Sequence, residues 1–127
     1  MPRQYTAEQL QAIHARGGTL LVSAAAGSGK TSVLVERVIE RILDREQPCD
    51  VDKLLVVTFS NAAAAEMKER VRERLSALLR EQPNDQYLKR QQMLLAKANI
   101  STVHAFCLKL VREQFQQLDI APNMRIA

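Results

Sequence analysis

A chain of 127 residues with 46% apolar side chains and neither a repeat nor a low-complexity tract has the length of one domain with a real core. No apolar run approaches the length of a membrane span, and Met1-Pro-Arg-Gln4 lacks the apolar stretch of a secretory leader, so the expectation is a cytoplasmic protein with no membrane partner. The formal charge of +4 is compatible with a nucleic-acid partner, while Cys49 and Cys107 show no metal-ligand spacing and read as reduced thiols.

In chain order, Thr6 to His14 reads as a short helix with Leu10, Ile13 and His14 on one face and Gly17-Gly18 beyond its end. Thr6 and Gln9 have the spacing of a capping box, in which each side chain serves a backbone N–H of the other residue. A Gln placed just ahead of an apolar strand can also offer its amide to the donor and acceptor edge of adenine. One carboxamide cannot serve both roles fully, so the two compete or alternate with occupancy.

Thr19 to Ala24 is apolar nearly throughout, as expected of a strand covered on both faces. Ala24-Ala-Ala-Gly-Ser-Gly-Lys-Thr31 then leads into a helix to about Asp44, with Leu34, Val35, Val38, Ile39, Ile42 and Leu43 as its core stripe. Gly27 and Gly29 lack a Cβ, so the backbone can curl and aim N–H groups at phosphate oxygens. The helix start adds further donors and the positive end of a dipole. Lys30 would neutralise the β and γ phosphates, and the Thr31 hydroxyl would ligate Mg²⁺. The alternative is a Gly-rich turn between strand and helix with no ligand, and Ala24 does stand where the pattern G-x-x-x-x-G-K-[ST] has its first Gly.

A turn from Arg45 to Asp52 leads to a second apolar strand, Lys53 to Phe59, which makes a parallel β-α-β unit. Ser60-Asn61 caps a helix from about Ala62 to Glu81 with Met67, Val71, Leu75, Leu78 and Leu79 inward. The opposite face of that helix is charged and reads as solvated surface, with Glu66 and Arg70 as an i,i+4 pair. After a loop at Pro83 to Asp85, a helix through Lys97 turns Leu88, Leu94 and Leu95 inward. Asn99 to His104 is a short third strand, and Ala105 to Leu118 is a helix presenting Cys107, Leu110, Val111, Phe115 and Leu118.

The segments that follow parallel strands gather on one carboxyl edge. The Gly-rich loop, Thr58 to Asn61 and Thr102 to Phe106 should therefore share a rim carrying hydroxyls, amides, His104 and the rings of Phe59 and Phe106. Such groups suit phosphodiester contacts and base stacking on single-stranded nucleic acid. They equally suit caps (Ser60, Asn61), core aromatics and a satisfied buried imidazole.

Tyr5-Thr6-x-x-Gln9, the Gly-rich loop, Val57-Thr-Phe-Ser-Asn-Ala-Ala-Ala-Ala-Glu-Met-Lys-Glu-Arg-Val71 and Ile100-Ser-Thr-Val-His-Ala-Phe-Cys107 resemble, in that order, the Q motif and motifs I, Ia and Ib of superfamily 1 DNA helicases of the UvrD/Rep type. The wording is most similar to the large subunits of AddAB-type helicase-nucleases. The resemblance implies a partial RecA-like P-loop NTPase fold, α/β, with a parallel sheet of about three strands and flanking helices over residues 1–127. It implies ATP and Mg²⁺ as cofactors, with Gln9 reading adenine, residues 26–32 (Ala26, Gly27, Ser28, Gly29, Lys30, Thr31 and Ser32) holding phosphates, Lys30 as the catalytic cation and Thr31 on the metal. Thr58, Phe59, Ser60, Asn61, Ala63, Thr102, His104 and Phe106 would line a single-stranded DNA track. Ala62 differs from the Lys that many relatives carry after Asn.

Hydrolysis also needs a carboxylate that completes Mg²⁺ coordination and positions water. No apolar strand here ends in an acidic pair, and the family's later motifs and nuclease carboxylates have no counterpart in this sequence. The expectation is therefore an N-terminal segment of a larger enzyme, 119–127 being a truncated tail, that partners single- and double-stranded DNA and an AddB-type second subunit. On its own it would bind nucleotide weakly, fail to unwind DNA and tend to self-associate through uncovered apolar surface. Another UvrD/Rep-type repair helicase, a small P-loop kinase and a non-enzymatic NTP-responsive binding module remain as alternatives at this point.

Overall fold

The structure is a computed structural model that describes residues 4–23 and 29–118. Helix α1 spans Ala7–His14 and begins with the expected capping box: the Thr6 N–H donates to Gln9 Oε1 at 2.9 Å and the Gln9 N–H donates to Thr6 Oγ1 at 3.2 Å. Its C-terminal carbonyls are served by arginines. Arg37 Nη1 donates to the carbonyls of Ala12 and Ala15, both at 2.7 Å, and Arg16 Nη1 donates to those of Ile13 and Ala15. Arg37 belongs to helix α2, Lys30–Leu43, so α1 is fastened to α2 at the end where a helix leaves its acceptors unmet. Ala12, Ile13 and Val33, with Tyr5 against them, form a small apolar cluster between the two helices.

The main core lies on the other side of α2. Val35, Val38, Ile39 and Ile42 recur at helical spacing and pack with Met67, Val71 and Leu75 of helix α3, which runs Asn61–Glu81. Between α2 and α3 come a 3-10 turn, Val51–Lys53, and strand β1, Leu55–Thr58. Helix α4 (Gln86–Leu94) and a second 3-10 turn then return the chain to strand β2, Asn99–Thr102. Strands β1 and β2 are parallel with Leu55 opposite Asn99 and Thr58 opposite Thr102, a pairing that requires a long helical crossover such as α3 and α4 supply. Helices α5 (Val103–Glu113) and α6 (Phe115–Leu118) follow β2 directly.

Gln91 is wholly buried, a role its sequence position did not suggest. Its Oε1 accepts from the Val51 N–H at 2.8 Å and its Nε2 donates to Asp50 Oδ1 at 2.7 Å, so α4 holds the turn that launches β1. Tyr87, one turn earlier, donates its hydroxyl to the carbonyl of Ile42 and carries Arg45 over its ring at 5.1 Å. Burial, with the Asp50 carboxylate adding to it, pushes the Tyr87 phenol above its ordinary range.

Three expectations need correction. Thr19 to Ser23 carries no strand, and the sheet has two strands among the described residues instead of about three. Leu20, Leu21 and Val22 are exposed, Leu21 by 89%, because an apolar run becomes a strand only where a neighbour offers it a ladder, and no described segment does. Second, the strand expected from Asn99 to His104 ends at Thr102, because Thr102 caps α5 and the helix begins at Val103; β1 is covered on one face, with Val56 buried while Leu55 and Val57 point the other way and are exposed. Third, the apolar side of the last helix is not core, since no residue of α5 or α6 is buried and Cys107, Leu110 and Leu118 are all exposed.

Candidate functional site

The start of α2 is a helix N-terminus led by a glycine. Gly29 occupies the left-handed region at φ 84° as the N-cap and makes no side-chain cap, which suits a residue with no Cβ to strain. The helical ladder opens with the Val33 N–H donating to the Gly29 carbonyl at 3.0 Å, so the helix itself offers no acceptor to the amides of the preceding turn. Lys30 and Thr31 are exposed on that turn. Ala26, Gly27 and Ser28, expected to complete the cradle, lie outside the described residues.

A cleft of about 890 Å³ opens beside this helix start and is lined by Gln9, Thr6, Leu20, Val22, Lys30 and Val33 among others. Gln9 and Lys30, distant in sequence, thus face the same space. The fastening of α1 onto α2 by Arg37 and the Ala12, Ile13 and Val33 cluster sets their separation. Gln9 uses one lone pair of its side-chain oxygen in the capping box, so a base contact that rotates the amide requires the Thr6 N–H to find another acceptor.

Ser32, expected among the phosphate-binding residues, is placed differently. It is buried, and its Oγ accepts from Arg70 Nη1 at 3.2 Å, which turns the hydroxyl toward α3 and away from the cleft. Arg70 also pairs with Glu66 at 2.7 Å as the spacing predicted. One turn on, Arg74 Nε donates to Glu36 Oε1 of α2 at 2.8 Å. The charged side of α3, read from sequence as solvated surface, is therefore partly a polar seam between α2 and α3.

The carboxyl ends of β1 and β2 build a second depression, about 710 Å³, lined by Phe59, Ser60, Asn61, Thr102, His104 and Arg112 among others. Parallel, in-register pairing puts Thr58 beside Thr102 and starts α3 and α5 side by side. Both helices are capped by hydroxyls: Ser60 Oγ accepts from the Ala63 N–H and Thr102 Oγ1 from the Ala105 N–H, each at 3.1 Å. Thr58 Oγ1 donates to the Ser60 carbonyl at 2.9 Å, bracing the turn that carries Phe59. The Phe59 ring is fully exposed, at 102%, which rules out the core reading; His104 is exposed as well, and Phe106 is half-buried.

Sequence reasoning missed Lys109 and Arg112 on this groove, although His104, Leu108 and Arg112 repeat every fourth residue and so share one helix face. Lys109 Nζ donates to Asn99 Oδ1 at 2.8 Å, and Glu113 adds a carboxylate at the far end. The structure thus brings the second and third loops together. The cleft holding Gln9 and Lys30 shares no residue with this groove. No group of three or more His, Cys, Asp or Glu capable of holding a metal occurs among the described residues, and no described helix is long and apolar enough to cross a membrane.

Comparison with known proteins places these features in context. The chain is 58% identical over 126 residues to the ATP-dependent helicase/nuclease A subunit of Thermoanaerobacter sp. (strain X514), covering 99% of this chain and 10% of that protein. It is 56% identical over 124 residues to the protein of the same name from Anoxybacillus flavithermus (strain DSM 21510 / WK1), and 54% over 123 residues to that from Clostridium botulinum (strain Okra / Type B1), covering 98% and 97% of this chain and again 10% of each relative. The chain spans about a tenth of the length of these relatives. Residues 5–127 match the UvrD/REP helicase N-terminal domain, so the chain that carries this cleft, this groove and this parallel strand pair belongs to that family.

Proposed function

We propose that this chain forms the ATP-binding N-terminal segment of a cytoplasmic ATP-dependent helicase-nuclease subunit that moves along single-stranded DNA in double-strand break repair and recombination. The observation that carries the proposal is the meeting of Gln9 and Lys30 in one cleft at the start of α2. The 58% identity to the A subunit of an ATP-dependent helicase/nuclease supports it.

The residues present suit ATP with Mg²⁺. A helix start led by a left-handed glycine with no side chain favours a polyphosphate, Lys30 adds a cation, and Thr31 adds a hydroxyl of the kind that ligates Mg²⁺. Gln9 would hold the adenine edge, and residues 26–29 would contribute backbone N–H groups. When bound, the metal and polyphosphate supply the electrophile for phosphoryl transfer. This chain's part is to bind and orient them, with Lys30 neutralising charge.

Along the other groove, Thr58, Ser60, Asn61, Ala63, Thr102 and His104 would contact phosphate and sugar while Phe59 and Phe106 stack bases. All 127 residues would form one partial RecA-like domain. The acidic residues for hydrolysis, the second motor domain, double-stranded DNA contacts and an AddB-type partner subunit would belong to the rest of the enzyme. The isolated chain is expected to hold nucleotide without unwinding DNA and to self-associate through surface such as Leu20, Leu21, Leu55 and Val57.

The test is a titration of a fluorescent ATP analogue with Mg²⁺ into this chain and into Lys30→Ala, both first shown to be folded by circular dichroism. Saturable binding should weaken by about 10- to 150-fold in the variant, the worth of charged hydrogen bonds. Equal binding by both chains would overturn the assignment of the cradle.

A further inference from the structure

We propose that Arg70 is a positioning residue that couples the DNA groove to the nucleotide cleft, acting through Ser32. The proposal rests on the functional reading of both depressions given above and adds the connection between them.

Helix α3 begins at the groove, where Ser60 and Asn61 line it, and further along reaches the first turn of α2. There the Arg70 guanidinium spans two helices, donating to Glu66 Oε1 on its own helix at 2.7 Å and to Ser32 Oγ on α2 at 3.2 Å. Ser32 is buried and directly follows Thr31, so a shift of Arg70 is felt beside the proposed metal ligand. Arg74 to Glu36 at 2.8 Å repeats the link one turn on. Beside this polar seam, Met67, Val71 and Leu75 pack on Val35, Val38 and Ile39.

Close-packed helices of this kind move as units and do not deform smoothly, so sliding of α3 when its N-terminus engages DNA must be taken up at its contacts with α2. The apolar contacts are non-directional and tolerate a small slide. The Arg70 fork is directional, because the guanidinium is planar and its donors are fixed. It therefore reports the position of α3 to the first turn of α2.

The measurement is a linkage cycle on the 127-residue chain. The affinity of a fluorescent ATP analogue with Mg²⁺ is determined without and with saturating oligothymidylate, in wild type, Arg70→Gln, Ser32→Ala and the double variant, all checked by circular dichroism. In wild type, oligothymidylate should change nucleotide affinity by a factor of about 5 or more, the lower end of usual coupling. In Arg70→Gln that factor should fall toward one while the DNA-free affinity stays within about 3-fold; Ser32→Ala should lower the factor likewise, and the double variant should lose no more of it than either single change. A coupling factor unchanged in folded Arg70→Gln overturns the proposal. So does a loss of DNA-free affinity as large as the loss of coupling, which marks a merely structural role. Nucleotide binding by wild type with no response to oligothymidylate overturns the coupling and leaves the nucleotide site standing, whereas no nucleotide binding at all overturns the functional reading and the coupling together.

Discussion

Helix α1 is held to α2 by Arg37, by Glu40 through its pairs with His14 and Arg16, and by the Ala12, Ile13 and Val33 cluster; removing Arg37 should loosen α1, and with it the place of Gln9 beside Lys30, while leaving the main core intact. Arg37 Nη1 donates to the carbonyls of Ala12 and Ala15 at 2.7 Å each. Substituting Arg37→Met keeps most of the hydrocarbon stem and deletes both bonds. Arg16 Nη1 still reaches Ala15 at 2.9 Å, so only the Ala12 carbonyl loses its donor outright. A hydrogen bond from a charged donor contributes about 1.5–3 kcal/mol, which puts the cost near 2 kcal/mol. An eight-residue helix is too short to persist without tertiary support, and the apolar contacts that remain to α1 are few: Ala12 and Ile13 against Val33.

Amide hydrogen exchange reads this cost locally. Protection of the α1 amides, including Leu10 and Ala15, should fall by roughly 30-fold, the equivalent of 2 kcal/mol, whereas amides of α3 around Val71 and Leu75 should keep theirs. Affinity for the ATP analogue should fall with α1 protection, because Gln9 is no longer held beside Lys30. Unchanged α1 protection would refute the fastening argument. An equal loss in α1 and α3 would refute the independence of the two apolar clusters.

Two other substitutions test the fold and the groove separately. Gln91→Leu leaves the Val51 N–H buried without its 2.8 Å acceptor and should lower stability by about 1–3 kcal/mol in urea denaturation; an unmoved midpoint would show that the staple between α4 and the turn before β1 carries nothing. Phe59→Ala removes a fully exposed ring, so stability should change by no more than about 0.5 kcal/mol while oligothymidylate affinity falls by about 1–3 kcal/mol, and a large loss of stability would mean the ring is structural after all.

Much of this fold was legible because helix signals are local. Thr6 with Gln9 and Ser60 ahead of an alanine run mark helix starts, and the structure places caps at both, whereas Thr102, read as part of a strand, proves to be the cap of α5. The stripe Val35, Val38, Ile39 and Ile42 is equally local and is buried as read. Strands are another matter, since their backbone groups need a neighbour whose identity no local pattern reveals. Lys53 to Phe59 and Thr19 to Ala24 look alike as apolar runs, yet the first has β2 beside it and the described part of the second has no partner strand. Long-range polar contacts were the least legible. Gln91 to Val51, Arg37 to Ala12 and Arg70 to Ser32 each join residues far apart in the chain, and Gln and Arg on helices carry no mark that distinguishes a buried bridge from solvated surface.

The groove residues pose a physical question of their own, because several of them already hold the fold together. Ser60 and Thr102 spend their hydroxyl lone pairs on the N–H groups of Ala63 and Ala105, as Gln9 spends its amide oxygen on Thr6. This follows from architecture: in a parallel unit the residue that ends a strand on the carboxyl edge is also the one that caps the next helix. A hydroxyl keeps a second lone pair and a rotatable proton, so Ser60 and Thr102 can donate to a phosphate oxygen without releasing their caps. The Gln9 amide oxygen also keeps a second lone pair, so only a rotation that carries it away from α1 gives up the bond of about 0.5–1.5 kcal/mol to the Thr6 N–H. Under the proposed function the rim hydroxyls would meet an anionic backbone without releasing their caps, and an adenine contact that rotates the Gln9 amide would carry the cost of the Thr6 bond. Loosening α1 should be felt in nucleotide affinity before it is felt at the groove beside the strand ends, because Gln9 lies on α1 and the residues lining that groove do not.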